Sequence, residues 1–321
     1  MVQWGLLSTA NINGLLLAGI AQADGSRPAA VASRDSERAR AYAAEHGIER
    51  AHGSYEALLA DPGVDAVYIS LPNSMHHEWT LKALEAGKHV LCEKPYSRRS
   101  AEVEQAFDEA ATRGLVLMEA FMYRHNPQTR RVAELVAGGT LGRLRLIRSS
   151  FSFIAQPGNV RLQRGLDGGA LMDLGCYCLS AARLLAGEPE RAYATQVLGG
   201  DGVDVVFAAT LRFPGEVIAS FDCSLALPSR HWLEVVGEQG SLYVPDPWHA
   251  WEPGIELRRS DGSIDVIADE PVNSYALQVE NASAAIRGEA EPLLGRDDAV
   301  GQARAIEALY SAADSGQAVS L

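Results

Sequence analysis

Through the first ~120 residues, short apolar runs alternate with amphipathic stretches, the rhythm of strand-helix-strand units that build a parallel sheet. Val2 to Leu7 reads as a strand, Asn11 to Ala21 as a helix with apolar positions at 12, 15, 16 and 20, and Ala29 to Ala32 as a second strand. Ser36 stands at an N-cap position ahead of an Ala/Arg/Glu-rich helix that closes at Gly47. Arg50 to His52 is a very short third strand, Ser54 to Ala60 a short helix, and Val64 to Leu71 a continuous apolar run suited to a strand covered on both faces. A helix from Ser74 to Ala86 stops at Gly87, His89 to Cys92 is a fifth strand, Ser100 to Arg113 a helix and Leu115 to Ala120 a sixth strand. Six strands with crossovers predict a doubly wound sheet.

Beyond residue 150 the period changes to long alternating strands joined by tight turns. They run Leu144 to Ala155, Ala192 to Leu198, Val205 to Leu227 folded at Pro214-Gly215, Trp232 to Val236 and Ser241 to Val244, with a hairpin about Asp261-Gly262. Helical patterns cover Ala170 to Leu185 and Tyr275 to Ala313. The fold class expected is α/β: an N-terminal doubly wound parallel sheet plus a C-terminal α+β domain with a large, mostly antiparallel open sheet. With 321 residues, two domains fit the usual domain size. The boundary is drawn at 122/123, with the C-terminal helix free to pack back on the first domain.

Composition narrows the function classes. At 47% hydrophobic and 21% charged, the chain is an ordinary globular protein, neither disordered nor fibrous. A net charge of −13 repels nucleic-acid phosphates and anionic lipid, so neither is expected as a partner. No apolar stretch approaches the ~20 residues of a membrane span, no secretory leader opens the sequence, and a cytoplasmic address is expected. Cys92, Cys176, Cys178 and Cys223 make no disulfide framework, and Cys176-x-Cys178 lacks a second ligand pair, so no metal is expected. Only three of the 28 basic residues are lysines: Lys82, Lys88 and Lys94.

Chemistry concentrates at the strand ends. After the first strand comes Gly5-Leu-Leu-Ser8-Thr9-Ala10-Asn11-Ile12-Asn13. Ser8, Ala10 and Asn13 stand where G-x-G-x-x-G/A has its small residues, and backbone amides there could approach a pyrophosphate; an ordinary strand-to-helix turn is the competing reading. After the second strand, Ser33 replaces the acid that holds the ribose hydroxyls of NAD, while Arg34 and Arg38 suit a 2′-phosphate. NADP is therefore favoured over NAD. Ser70 and Leu71 end the fourth strand, and Asn73 and His76 lie on the loop after it, at the expected cofactor crevice. Glu93-Lys94-Pro95 ends the fifth, placing a lysine at the mouth of that crevice. Asp167-Gly-Gly-Ala-Leu-Met-Asp173-Leu-Gly-Cys-Tyr177 sets a carboxylate and a phenol four apart on one helical face, with the two glycines allowing close backbone approach; a purely structural hydrogen-bonded pair is the alternative.

Glu93-Lys94-Pro95 followed in the second domain by Gly-Gly-Ala-Leu-Met-Asp173-Leu-Gly-Cys-Tyr177 resembles the glucose-fructose oxidoreductase, inositol dehydrogenase and MocA family. Leu71-Pro72-Asn73-Ser74-x-His76 matches that family's strand-four loop, and the resemblance covers essentially the whole chain. It implies a Rossmann domain and a substrate-binding domain whose open sheet covers the active site on one side and forms a homodimer or dimer-of-dimers contact. Tyr177 in place of the inositol dehydrogenases' histidine resembles the branch with glucose-fructose oxidoreductase, NADP-dependent xylose dehydrogenases, dimeric dihydrodiol dehydrogenases and deoxysugar 3-ketoreductases.

Hydride transfer at a C–OH carbon needs a proton carrier and a positive group to steady the alkoxide. Tyr177 is the expected carrier; the resemblance implies Lys94 as the cation that favours its ionised form. Asp173 would orient substrate or Lys94, with Phe153, Asn159 and Arg161 touching sugar hydroxyls. Tyr123 and Arg124 would line the nicotinamide end, and His231, Trp232, Trp248 and Trp251 are unranked candidate walls. The expected function is an NADP-dependent sugar or trans-diol oxidoreductase. A ketoreductase of nucleotide-linked deoxysugars and a non-catalytic nucleotide sensor are the rival readings.

Overall fold

The computed structural model describes residues 1–268 and 270–321. Two compact units divide the chain: residues 1–122 with 273–300, and residues 123–272 with 301–321.

The first unit alternates β1 (Val2–Leu7), α1 (Asn13–Ile20), β2 (Ser26–Ala32), α2 (Ser36–His46), β3 (Arg50–His52), α3 (Tyr55–Leu59), β4 (Ala66–Ile69), α4 (His76–Glu85), β5 (His89–Cys92), α5 (Ser100–Arg113) and β6 (Leu117–Glu119). The strands pair in parallel in the order 3-2-1-4-5-6, the dinucleotide-binding arrangement with its crevice at the carboxyl ends of the strands. All four residues of β4 are buried, as a central strand covered on both faces must be. Gly47 and Gly114 end α2 and α5 in the left-handed region. Asp35, rather than Ser36, caps α2: its carboxylate accepts the Glu37 and Arg38 amides at 2.8 and 3.2 Å. A charged acceptor beside a helix N-terminus also gains from the dipole.

The second unit takes α6 (Pro127–Ala137), β7 (Leu144–Ser152), a π-helical turn (Leu171–Gly175), α7 (Cys176–Ala186), β8 (Arg191–Leu198), β9 (Asp204–Phe213), β10 (Val217–Ser224), β11 (Arg230–Gly237), β12 (Gly240–Val244), β13 (Ile255–Arg259) and β14 (Ile264–Ile267). Then α8 (Ser274–Ile286) belongs to the first unit, α9 (Arg296–Ser315) begins there and ends in the second, and β15 (Val319–Ser320) closes the chain. Nine strands form one sheet in the order 14-13-12-11-7-10-9-8-15, antiparallel except where β7 and β10 run parallel. Residues 164–186 match a membrane span by length and composition, although the run carries Arg164, Asp167, Asp173 and Arg183. It is core instead: 83% of its most apolar 18-residue stretch is buried inside the protein.

Within the first unit, α8 packs on α1 without intervening side chains. A Cβ on Gly19 would lie 2.7 Å from the Tyr275 carbonyl carbon, so only glycine admits this approach. Trp4, fully buried, reaches Ser283 Oγ through its ring nitrogen at 3.3 Å, and Ser26 Oγ shares that hydroxyl at 2.8 Å.

Candidate active site

In the first unit, the candidate cofactor residues lie along the carboxyl edge of its sheet. Ser8 leaves β1 at φ +146°, a region that favours glycine, at the place of the fingerprint's first glycine. Ser8 Oγ meets Ser70 Oγ at 2.8 Å and accepts the Ala10 amide at 3.1 Å. Asn13, fully buried, donates to the Ser8 carbonyl at 2.8 Å. Its amide therefore braces the turn and is not offered to a phosphate. The backbone amides of Thr9, Asn11 and Ile12 meet no acceptor among the described residues, leaving donors at a helix N-terminus that fit a pyrophosphate. Gly5 is a correction: it lies inside β1, and a Cβ there would sit 2.8 Å from Leu58 Cδ2. Its missing side chain makes room for α3 and not for a cofactor.

After β2, Ser33 is buried with its Oγ accepting the Asp35 amide at 3.2 Å. Asp35 Oδ1 is occupied by the α2 cap, while Arg34 and Arg38 are exposed. Of this group, the two guanidiniums are the side chains open to an anion.

Asn73 opens the 3₁₀ turn after β4, and Leu71 is 93% buried at the end of that strand's loop (7% exposed). His76 proves to be a brace rather than a cofactor contact. It has no exposed surface, and its ring nitrogens face the Leu71 carbonyl at 2.9 Å and the Pro95 and Tyr96 carbonyls at 3.1 and 3.3 Å. Burial, joined by the charge of Lys94 and only partly offset by the carbonyl bonds, pushes its pKa below the usual histidine value. The buried ring sits between the strand-four loop and the segment carrying Lys94, and its single N–H when neutral donates to one of them. Glu93 accepts the Tyr68 hydroxyl, the Lys94-Pro95 peptide is cis, and Glu119 Oε1 takes the Tyr96 amide at 2.7 Å. Lys94 thus leaves β5 on a loop fixed from three sides. The other lysines have plain structural work: Lys88 Nζ donates to the Asp61 and Val64 carbonyls, and Lys82 pairs with Glu78 over the Trp79 ring.

The second unit gathers four of the expected substrate residues. Arg161 Nε lies 2.7 Å from Asp173 Oδ2, its guanidinium stands 6.0 Å from the Phe153 ring centre, and Asn159 Oδ1 accepts the Arg161 amide at 3.0 Å. Tyr177, 8% exposed, is walled by Tyr123, Phe151 and Trp248, whose ring centres lie 5.5 to 5.9 Å away. Two expectations change here. Tyr123 is 2% exposed and Trp248 fully buried, so both back Tyr177 instead of offering a face to substrate. Arg124 Nη1 donates to Ser180 Oγ at 3.0 Å, on α7 three residues past Tyr177. Trp232 lies under the Arg148 guanidinium, His231 is exposed, and Trp251 stacks on His249 at 4.2 Å.

A family model for the NAD-binding Rossmann fold of an oxidoreductase family matches residues 11–121, and one for the GFO/IDH/MocA C-terminal domain matches residues 129–243. D-xylose 1-dehydrogenase (NADP(+)) 2 of Haloferax volcanii is 40% identical over the full length of both chains. The chain belongs to the GFO/IDH/MocA oxidoreductase family. Trans-1,2-dihydrobenzene-1,2-diol dehydrogenase of Bos taurus is 38% identical over 70% of this chain and 67% of its own. The structure of a 3-ketoreductase from Actinomadura kijaniata, in complex with NADP and TDP-benzene, superposes with a TM-score of 0.91 at 31% identity over 97% of each chain.

Within this GFO/IDH/MocA chain, the sequence reading missed the residues that hold the site rather than form it. Gly168 and Gly169 do permit close approach, but to protein: Cβ atoms there would stand 2.3 Å from the Arg161 carbonyl oxygen and 2.2 Å from Asp204 Oδ1. The signal available was an acid, Asp204, opening a strand whose other inward positions are apolar.

Proposed function

We propose that this oxidoreductase is NADP-dependent and transfers hydride between nicotinamide and the hydroxyl or carbonyl carbon of a sugar or trans-diol, as an aldose or dihydrodiol dehydrogenase does. The observation that carries the reading is the cluster of Phe153, Asn159, Arg161 and Asp173 in the unit that bears Tyr177. Fixed charged and amide groups beside an aromatic ring suit a molecule of adjacent hydroxyls on an apolar carbon frame. The full-length xylose dehydrogenase relative supports the same class.

Thr9, Ala10, Asn11 and Ile12 would hold the pyrophosphate, Arg34 and Arg38 the 2′-phosphate with Ser33 bracing their turn, and Ser70, Asn73 and Glu93 the nicotinamide half. When bound, the cofactor supplies the hydride acceptor or donor. In the oxidative direction the substrate hydroxyl gives its proton to Tyr177, the carbon gives up hydride with its electron pair, and a C=O bond forms. Lys94 steadies the oxygen's negative charge and favours phenolate, since a nearby cation lowers a phenol's pKa from ~10. Asp173 holds substrate or the charged groups around it.

Purified protein screened with NADP and pentoses, hexoses and trans-diols should give absorbance change at the nicotinamide band. Lys94→Ala and Tyr177→Phe should each lower kcat by ~10² or more; near-normal turnover in both would overturn the assignment. The Actinomadura relative motivates a second reading, reduction of a nucleotide-linked keto-sugar, which requires product from that substrate and none from free aldoses. The proposal extends to a cytoplasmic homodimer that uses the outer face of the nine-stranded sheet, where Tyr193, Val197 and Ile218 are exposed.

A further inference from the structure

The segment that presents Asp173 and leads into Tyr177 is not an ordinary helical turn. Leu171–Gly175 is wound as a π-helix before α7 begins at Cys176. Such windings are rare, and their ends leave backbone groups that need partners from elsewhere in the protein. Buried backbone donors without acceptors are costly.

Both ends of this turn are tied to side chains from β9 and α9. At the entry, the buried Leu171 amide donates to Asp204 Oδ2 at 2.6 Å. The other oxygen of that carboxylate accepts the Tyr310 hydroxyl at 2.9 Å, and Asp204 is 2% exposed. Gly169, at φ +133°, leaves the space that Asp204 Oδ1 fills. At the exit, Gln302 Nε2 donates to the Cys176 carbonyl at 2.8 Å, and Gln302 Oε1 accepts Arg183 Nη1 at 3.1 Å. Arg183 is in turn held by both oxygens of Glu188. Burying a carboxylate is expensive unless it is fully hydrogen-bonded, and a serine or asparagine would suffice merely to cap a helix. Here the charge fastens the start of the turn to α9, and Gln302 on the same helix fastens its end.

We propose that Asp204, Tyr310 and Gln302 are positioning residues for the proton transfer at Tyr177: they keep Leu171–Gly175 in π winding and thereby set the directions of Asp173 and Tyr177 relative to each other. The inference rests on the reading of Tyr177 as the acid/base. A change from π to α winding alters the rotation between successive side chains, and misplacement by about 1 Å in a reacting array can cost ~10² in rate.

The test uses Tyr310→Phe, which keeps the ring against Phe207, Gln302→Leu, Asp204→Asn and Asp204→Ala, with Tyr177→Phe alongside. Tyr310→Phe and Gln302→Leu should lower kcat by ~10-fold or more while the sugar KM and the NADPH dissociation constant stay within ~2-fold. In Asp204→Asn the amide oxygen still accepts the Leu171 amide and the NH₂ can donate to Tyr310, so this variant should recover most of the turnover that Asp204→Ala loses. Hydrogen exchange of a peptide spanning 168–178 should be faster in Tyr310→Phe and Gln302→Leu than in wild type. Wild-type kcat in these two variants, or lowered kcat with unchanged exchange, overturns the inference; if Asp204→Ala does not fold, they decide alone. Near-normal turnover of Tyr177→Phe instead overturns the acid/base reading beneath it, whereas an inactive Tyr177→Phe beside a fully active Tyr310→Phe overturns only the positioning role.

Discussion

His125 has no exposed surface, and neither ring nitrogen finds a hydrogen-bond partner among the described residues. Burial, joined by the charges of Arg130 and Arg124, pushes its pKa down to about 3. An unfolded histidine titrates near ~6.5, so between that pH and about 3 the unfolded chain binds a proton that the folded chain refuses. Folding stability therefore falls as pH falls through this window, by about 1.4 kcal/mol per unit. From pH 7 to pH 5 the loss from this one residue should be about 2 kcal/mol. Urea unfolding of His125→Leu at the two pH values should show a drop smaller by that amount, and an equal drop in both proteins would remove His125 as the cause. Individual residues were the least legible scale. Lys94 could be singled out because lysine is scarce and stands at a strand end, but His76 looked the same whether it faced a cofactor or the Leu71 and Pro95 carbonyls. Which way a ring points is settled by neighbours distant in sequence.

Elements were far easier to read, because helix stops at Gly47 and Gly87 and the all-apolar β4 carry local signals. Helix α6 escaped notice: Val132 is its sole buried apolar side chain and Gln128 is buried beside it, donating to the Asp246 carbonyl. The π winding was equally silent, since it is sustained by Asp204 and Gln302 and not by a pattern within residues 171–175. The β2–α2 connection makes a prediction at this scale. With the Asp35 carboxylate engaged in capping, replacing Arg34 and Arg38 together by alanine should raise the KM for NADPH ~10-fold or more and leave NADH within ~2-fold, as loss of charge-assisted phosphate bonds requires. Equal weakening of both cofactors would mean that the arginines do not read the 2′-phosphate. Gly169→Ala should cost at least ~1–3 kcal/mol in thermal unfolding, because φ +133° and the Asp204 oxygen both oppose a methyl group; an unchanged melting temperature would show that the turn can yield.

At the scale of the whole molecule, the six-stranded doubly wound sheet and the mostly antiparallel second sheet followed from periodicity and turn spacing, while the strand order 3-2-1-4-5-6 comes from the structure. The parallel pairing of β7 with β10 did not, because it joins strands separated by about 64 residues that include two other strands and a helix. Outward positions on β8 and β10 leave Tyr193, Val197 and Ile218 exposed on one sheet, and such a patch commonly marks an interface. Light scattering on a sizing column should give twice the chain mass for the wild type and the single chain mass for Tyr193→Glu combined with Ile218→Glu. An unaltered mass in the double variant would move the interface elsewhere.

The return of residues 273–300 to the first unit also sets the order of biogenesis. Strands β1 and β2 are synthesised about 250 residues before α8, yet Trp4 and Ser26 wait for Ser283, and Gly19 waits for Tyr275. The first unit therefore completes its packing only when residues 273–300 are present. Until α8 has been synthesised, the surface of α1 around Gly19 that receives it stays uncovered.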